Sequence, residues 1–318
     1  MNANPPRQRI QRRAVHGVLL LDKPLGLSSN DALQKAKWLL RAEKGGHTGT
    51  LDPLATGLLP LCFGAGTKFS QVSLDADKGY LATLNLGVTT TTGDAEGDVL
   101  ERREATATRA QIDAVVAKFV GGIDQVPPMY SALKHEGRPL YEYARAGIHI
   151  ERPSRRVTIH RADIVGFDNG SLLTLDVSCS KGTYIRTLAE DIGRELGCGA
   201  SLAALRRTKS GPLTVDRAVS LDALAAMNEV EREALLHPPD SLLADWPALS
   251  LDGDEAARFL TGLRRRVKAQ DAENVRVYGN LGGPQPRAFL GSAHIKSGEL
   301  IADRLLSPQE VESLLNVA

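Results

Sequence analysis

The spacing of apolar and polar positions predicts short strands alternating with amphipathic helices. His16 to Leu21 reads as a short buried strand, and Lys23-Pro24-Leu25-Gly26 as the turn that ends it, since Pro fixes φ and Gly accepts a positive one. Ser28, Ser29 and Asn30 then offer caps to a helix with Leu33, Ala36 and Leu40 on one face. Gly45 to Gly66 holds six glycines and two prolines, which predicts a long loop with short ordered pieces. Tyr80 to Leu86 has strand character, and Thr89 to Asp98 is polar and turn-rich. Thr108 is placed to cap a helix burying Ile112, Val115, Val116 and Phe119. Pro127-Pro128-Met129-Tyr130 reads as an extended loop, and Pro139 opens a short helix ending near Gly147. Leu173, Leu175, Val177 and Cys179 alternate with polar residues as in a half-buried strand. That strand runs directly into Lys181-Gly182-Thr183 and a helix striped by Ile185, Leu188, Ile192 and Leu196, stopped by Gly197. Leu221 to Leu236 is predicted as one helix, ended by His237-Pro238-Pro239. Beyond Pro247, short strand candidates at Val275 to Tyr278 and Ala288 to Leu290 predict a small β-rich appendage.

A chain of 318 residues that is 42% apolar and 24% charged fits one large or two unequal globular domains. No apolar run approaches the roughly 18–20 residues that span a bilayer. The basic residues 1–15 read as a mobile arm. The apolar run after them ends at Asp22 and is too short for a signal-peptide core, so the protein reads as cytoplasmic. Cys62, Cys179 and Cys198 are odd in number and lack CxxC spacing, which argues against a disulfide framework or a zinc site. The net charge of +1 conceals a gradient. Residues 1–50 carry 9 basic and 3 acidic side chains, and residues 130–211 carry 13 and 9. The intervening segment and the tail are acidic, with 6 against 10 and 11 against 16. Because fields are screened over about 8–10 Å, two basic segments folded together form a polyanion-binding face, and left apart they are solvated surface.

Two motifs carry chemistry. Gly45-Gly46-His47-Thr48-Gly49-Thr50-Leu51-Asp52-Pro53 holds a carboxylate on extended or turn backbone, because Pro53 disfavours the helical region at Asp52. Leu51, Leu54, Ala55, Leu58 and Leu59 around it raise the cost of leaving that charge unpaired. An Asp before Pro is otherwise an ordinary turn. In Cys179 to Arg186 a strand-to-helix junction gathers backbone donors. Arg186 in the first helical turn opposes the macrodipole, and a cation there makes sense beside an anion. Gly64-Ala65-Gly66-Thr67-Lys68 is not a phosphate loop, since Thr67 separates the Gly from the Lys. The seven histidines show no ligand spacing, which makes a metal site unexpected.

Gly46 to Gly57, Tyr80, Pro128-Met129-Tyr130-Ser131-Ala132-Leu133-Lys134 and Cys179 to Arg186 together resemble the bacterial tRNA pseudouridine-55 synthases, over about residues 16–212 in order. The resemblance implies an α+β pseudouridine-synthase fold: a mixed, largely antiparallel central sheet flanked by helices, followed by a small β-rich C-terminal domain. It divides the chain into an arm (1–15), a catalytic domain (16–247) with an RNA-clamping insertion (about 122–152), and a C-terminal RNA-binding-like domain (248–318). It implies isomerisation of a T-loop uridine of tRNA to pseudouridine, with no cofactor or metal and a monomeric enzyme. The family's catalytic aspartate falls on Asp52, with Tyr80 stacking on the target base and Arg186 pairing with Asp52. His47 falls where the flipped nucleotide vacates its place, and Tyr184 and Leu205 line the substrate pocket. Asp94 supplies a further polar contact, and Lys23 matches an element beside the site. Lys134, Arg138, Arg145 and Tyr141, with Tyr143, supply charge and stacking surface for a structured RNA loop. In the C-terminal part, Arg264-Arg265-Arg266 and Lys268 form a local basic cluster.

Pairing with Arg186 is expected to keep Asp52 ionised despite its apolar surroundings. Whether that carboxylate attacks uracil C6, attacks the ribose or removes a ribose proton stays open, with ribose-side chemistry preferred. An alternative is a tRNA-binding or tRNA-folding chaperone whose role needs no catalysis. A glycoside hydrolase is a third reading; it expects two carboxylates about 5–10 Å apart, and the sequence around Asp52 supplies no second one.

Overall fold

The computed structural model describes residues 11–168, 170–280 and 287–316. Its main sheet is built from β1 (Gly17–Lys23), β2 (Ala55–Phe63), β3 (Lys78–Leu86), β4 (Gly121–Gln125), β5 (Arg155–Phe167), β6 (Leu172–Cys179), β7 (Ala200–Ser210) and β8 (Val219–Ser220). The order is β8-β1-β2-β7-β3-β6-β5-β4, with two short strands, Gly45–His47 and Leu213–Thr214, attached to β2 and β7. The β8–β1 and β2–β7 neighbours are parallel and the others in that order antiparallel, so the sheet is mixed and largely antiparallel.

Helices α1 (Ser29–Leu39), α2 (Arg109–Lys118) and α4 (Ile185–Glu195) cover one face, while α3 (Leu140–Arg145) belongs to the insertion. Ser28 caps α1 by accepting from the Asp31 amide at 3.1 Å, and Thr108 and Gln111 close a capping box on α2. These ends fall where the sequence predicted them.

The stretch from Gly45 to Gly66 does not. Its second half is β2, a nine-residue strand at the centre of the sheet, buried on both faces. Pro60 is tolerated because, on the side opposite β1, β2 pairs with β7 only over residues 55–57 and with Gly45–His47 only over residues 61–63. Gly57 is needed for another reason. It has φ +97°, and a Cβ there would lie 2.3 Å from the Arg207 carbonyl oxygen, so only glycine lets β2 and β7 meet. Leu221 to Leu236 also departs from expectation. It is two short helices, Leu221–Ala226 and Glu229–Ala234, because Asn228 and Glu231 form a capping box that starts the second afresh.

The C-terminal sheet comprises β9 (Ala248–Leu251), β10 (Arg265–Arg266), β11 (Ala272–Gly279), β12 (Ala288–Lys296) and β13 (Glu299–Leu305), in the order β9-β11-β12-β13-β10. It is more than an appendage. Leu19, Leu21, Leu59, Leu61 and Phe63 of β1 and β2 face the helices. Val18, Leu20, Leu58 and Cys62 face a second core shared with Leu251, Phe259, Val277 and Leu290. At about 1.5–3 kcal/mol for each large apolar side chain buried, the central strands hold both halves together. Residues 1–10 of the expected arm lie outside the described residues. Residues 11–15 are tied down: the Arg13 amide donates to the Arg41 carbonyl at 2.9 Å, its Nε lies 3.3 Å from Glu229, and Val15 is buried.

Candidate active site

Asp52 sits on a turn clamped from both sides. The Ser29 hydroxyl in the first turn of α1 accepts from the Leu51 amide at 2.7 Å and donates to the Leu51 carbonyl at 3.0 Å. On the other side the Pro53 carbonyl accepts from the Gly26 amide at 2.9 Å and from the Lys23 ammonium at 3.5 Å. Lys23 is wholly buried, and its ammonium also donates to the Leu27 and Pro24 carbonyls at 2.6 and 2.9 Å. Burial pushes its pKa down to about 8. Lys23 therefore lies behind the Asp52 turn rather than in the open cavity.

Arg186 reaches Asp52 from the first turn of α4. Its Nη2 is 2.9 Å from Asp52 Oδ2 and donates to the Tyr130 carbonyl at 2.6 Å, and its Nη1 donates to the Thr92 carbonyl at 3.1 Å. Its Nε is 3.5 Å from Asp94 Oδ2, so one guanidinium joins two carboxylates. Asp94 is carried by a loop docked on β7 through Leu202 N–H to Gly93 O and Ala95 N–H to Leu202 O, each 2.9 Å. The second carboxylate that the local sequence did not supply thus comes from 42 residues downstream. It is committed elsewhere, accepting from the Thr92 hydroxyl at 2.6 Å and the Glu96 amide at 3.1 Å. Its side chain is 4% exposed against 40% for Asp52, which leaves Asp52 as the carboxylate open to a ligand.

Burial raises the pKa of Asp52, opposed chiefly by Arg186, while Asp94 adds to the rise. The expected effect of Arg186 is present, but desolvation outweighs it. Glu96, at the rim, is raised for the same reasons: burial first, then Asp94 and Asp52.

Two cavities meet at Asp52 and Arg186. One, of about 320 Å³, is lined by Tyr80, Tyr184, Leu205, Lys78 and Arg207. The other, of about 430 Å³, is lined by His47, Asp94, Tyr130, Tyr141 and Arg145. Tyr80 on β3 and Arg207 on β7 are cross-strand partners, and Leu205 is paired with Ala82 two residues along, so register places all three beside the aspartate. Burial raises the pKa of Tyr80 and Tyr184 and lowers that of His47, whose buried Nδ1 has no hydrogen-bond partner. In the insertion, α3 delivers Tyr141 and Arg145 to the cavity mouth, with the guanidinium 5.3 Å from the ring centre. Lys134 and Arg138 stand apart from both cavities on the exposed Lys134–His135/Arg138–Pro139 hairpin.

Two basic residues of the cavity gave no signal in the sequence. Arg207 is 1% exposed and donates to the Leu58 carbonyl at 2.7 Å and the Gly49 carbonyl at 3.2 Å, with the Tyr80 hydroxyl beside it. Lys78 is buried, donates to the carbonyls of Ser73 at 2.8 Å and Ala76 at 2.5 Å, and has its pKa pushed down to about 8. Strand alternation in β7 is a usable signal only in hindsight. Arg206 points outward to Asp22, 2.7 Å away, and its neighbour points in, but bulges at Leu202/Ala204 and Arg207/Lys209 hide the alternation.

The model for the TruB family pseudouridylate synthase N-terminal domain matches residues 37–185, and that for the tRNA pseudouridylate synthase B C-terminal domain matches residues 186–244. The chain is 58% identical to tRNA pseudouridine synthase B of Verminephrobacter eiseniae, over 98% of this chain and 95% of that protein. It is 56% identical to the protein of that name from Cupriavidus pinatubonensis, over 96% and 98%. Among solved structures, an archaeal box H/ACA sRNP Nop10–Cbf5 complex aligns with TM-score 0.68 at 23% identity, over 95% of this chain and 88% of that one. A Cbf5–Nop10–Gar1 complex aligns with TM-score 0.70 at 23% identity, over 97% and 89%. At such identity these structures speak for the fold, which is the expected mixed sheet with a β-rich C-terminal part. Family models lying end to end, and relatives above half identity along nearly their whole length, establish that the chain belongs to the TruB family of pseudouridylate synthases.

Proposed function

We propose that this enzyme isomerises a uridine in the T-loop of tRNA, position 55, to pseudouridine with Asp52 as the catalytic carboxylate. The observation that carries this reading is the 2.9 Å contact between Arg186 and Asp52 where two cavities meet, one of them walled by Tyr80. N1 and C5 of a uridine stacked in a loop are out of reach of any side chain, so the nucleotide swings out, at a few kcal/mol. Stacking on Tyr80 recovers roughly 1–3 kcal/mol. The N1–C1′ bond then breaks, the uracil turns in place, C5–C1′ forms, the C5 proton leaves and N1 gains one. Atoms balance without a co-reactant, and the task of the site is to hold a detached base. Tyr184 and Leu205 close the smaller cavity around it. His47, with its free Nδ1, stands at the larger one, where the loop loses its nucleotide.

The insertion, about residues 122–152, acts as the RNA clamp through Tyr141 and Arg145 at the cavity mouth, with Lys134 and Arg138 on its outer hairpin. The sheet from residue 248 adds a weaker RNA-binding surface around Arg264-Arg265-Arg266. Residues 16–247 make the catalytic unit. The enzyme works as a cytoplasmic monomer; among the described residues no helix is long and apolar enough to cross a membrane.

The test is pseudouridine mapping in a T-arm hairpin incubated with the purified protein alone. Wild type modifies one loop uridine and leaves an anticodon-arm hairpin unmodified. Asp52→Asn binds the T-arm and makes no product. Unchanged modification by Asp52→Asn removes that residue from the chemistry, and binding without product by the wild type favours the chaperone.

A further inference from the structure

We propose that Gln125 is a positioning residue that holds the start of α4 and so aims Arg186 at Asp52. This rests on the catalytic reading of that pair. Gln125, the last residue of β4, is 2% exposed. Its side-chain Oε1 accepts from the Tyr184 amide at 3.0 Å, and its Nε2 donates to the Tyr184 carbonyl at 3.3 Å. Two antiparallel contacts to the backbone of one residue fix its distance and its rotation together, as a paired strand would.

Tyr184 is the residue that needs such a hold. It is the N-cap of α4 and supplies no side-chain cap, and Arg186, two residues on, carries a positive charge against the helix macrodipole. A helix that starts without a cap and with a cation in its first turn is the one most prone to fray where Arg186 is anchored. Gln125 supplies from a neighbouring strand what the helix lacks. The chain leaving Gln125 then returns to the same group, for the Tyr130 carbonyl accepts from Arg186 Nη2, the atom that meets Asp52. One short segment thus holds both the base of the arginine's helix and its tip. None of these hydrogen bonds involves Lys134 or Arg138 of the outer hairpin.

Gln125→Met keeps the side chain's volume and removes both bonds. Under enzyme excess, it is expected to slow conversion of a T-arm hairpin by about tenfold or more, with hairpin affinity unchanged within about twofold. Arg186 lowers the pKa of Asp52, so a loosened Arg186 moves the acid limb of the rate profile to higher pH; Lys23, Asp94 and Glu96, which also act on Asp52, stay where they are. Gln125→Leu, which also removes both bonds without adding a charge, takes the place of the Met variant if that one does not fold. A wild-type rate and acid limb in the variant overturns the proposal, as does a rate loss matched by an equal loss of affinity. Asp52→Asn run alongside separates the two claims. If it abolishes product while the Gln125 variants behave as wild type, only the positioning role falls; if the wild type makes no pseudouridine, the catalytic reading falls with it.

Discussion

The cavities that meet at Asp52 have two sides of opposite construction. On one, Arg186 is 6% exposed and lies against Asp52 and Asp94, with Glu96 nearby. On the other, Arg207 and Lys78 are equally buried, yet they bond to backbone carbonyls and, for Arg207, to the Tyr80 hydroxyl, and no ion pair to either is found among the described residues. Lys23, behind the Asp52 turn, is held by carbonyls in the same way, while its charge also lowers the pKa of Asp52. A buried cation beside a carboxylate sets that carboxylate's charge and direction. A buried cation on carbonyls ties strands and turns together and bears its own desolvation. Hence the first side governs chemistry and the second governs shape, and substitutions on the two should separate rate from stability.

The largest expected effect belongs to Arg186. Arg186→Gln leaves Asp52 and Asp94 in one pocket without the shared guanidinium, and both burial and Asp94 already push Asp52 upward. Its pKa rises, so at neutral pH a larger fraction is protonated. Single-turnover conversion should fall by about a hundredfold or more, while the hairpin still binds. The acid limb of the pH–rate profile should move to higher pH. A limb that stays in place would mean that Arg186 does not set the ionisation of Asp52.

How much of this was legible in the sequence differs between the two sides for a physical reason. Asp52 and Arg186 sit in motifs with a local oddity, a carboxylate among leucines and a cation at a helix start. An Asp before Pro is also an ordinary turn, however, and it is the resemblance carried by several ordered motifs that pairs the two. Arg207 and Lys78 sit in strands, where a charged residue reads as the solvent face and only the pairing register shows otherwise. The central strand β2 was hidden for a related reason. Its glycine and proline punctuate a loop in isolation, but Gly57 is there for the close approach of β7 and Pro60 fills a position that needs no ladder bond. Helices α1, α2 and α4, by contrast, each announced one end, through Ser28, Thr108 and Gly197, because capping is a local interaction. The capping box at Asn228 and Glu231 was hidden inside a continuous apolar periodicity.

On the shape-determining side, Arg207→Met keeps the stem's volume and leaves the carbonyls of Leu58 and Gly49 without their donor. Relief from burying a cation offsets part of that loss. A net destabilisation of about 1–3 kcal/mol in urea is expected, with the rate per folded molecule reduced by less than about tenfold. A rate loss as deep as that of Arg186→Gln at unchanged stability would erase the distinction.

The two lysines give a subtler readout. With a folded-state pKa of about 8 against an ordinary value of 10.5, each holds fewer protons folded than unfolded between those limits. Stability contributed by these groups therefore rises with pH from about 8 to about 10.5. Urea midpoints at about pH 7.5 and about pH 10 should show a smaller gain in Lys23→Met and Lys78→Met than in the wild type. Equal gains in all three would place both ammonium groups in contact with water.

The smallest effect is expected at the rim, where charge meets solvent and serves neither chemistry nor shape. Arg145 lies over the Tyr141 ring at the cavity mouth, and Lys134 stands on the exposed hairpin, so both are free to meet phosphate. Arg138 is partly spent on Glu142, 3.4 Å away, and on the Tyr143 ring, 5.0 Å from its guanidinium. Each phosphate contact releases about one counterion, so Arg145→Gln and Lys134→Gln should each lower the slope of log affinity against log salt by about one unit. Arg138→Gln should lower it by less, because its Glu142 partner already screens it. Conversion at saturating hairpin should be unchanged in all three. A drop in that saturated rate for Arg145→Gln alone would move Arg145 from the rim into the chemical side of the cavity, beside Arg186.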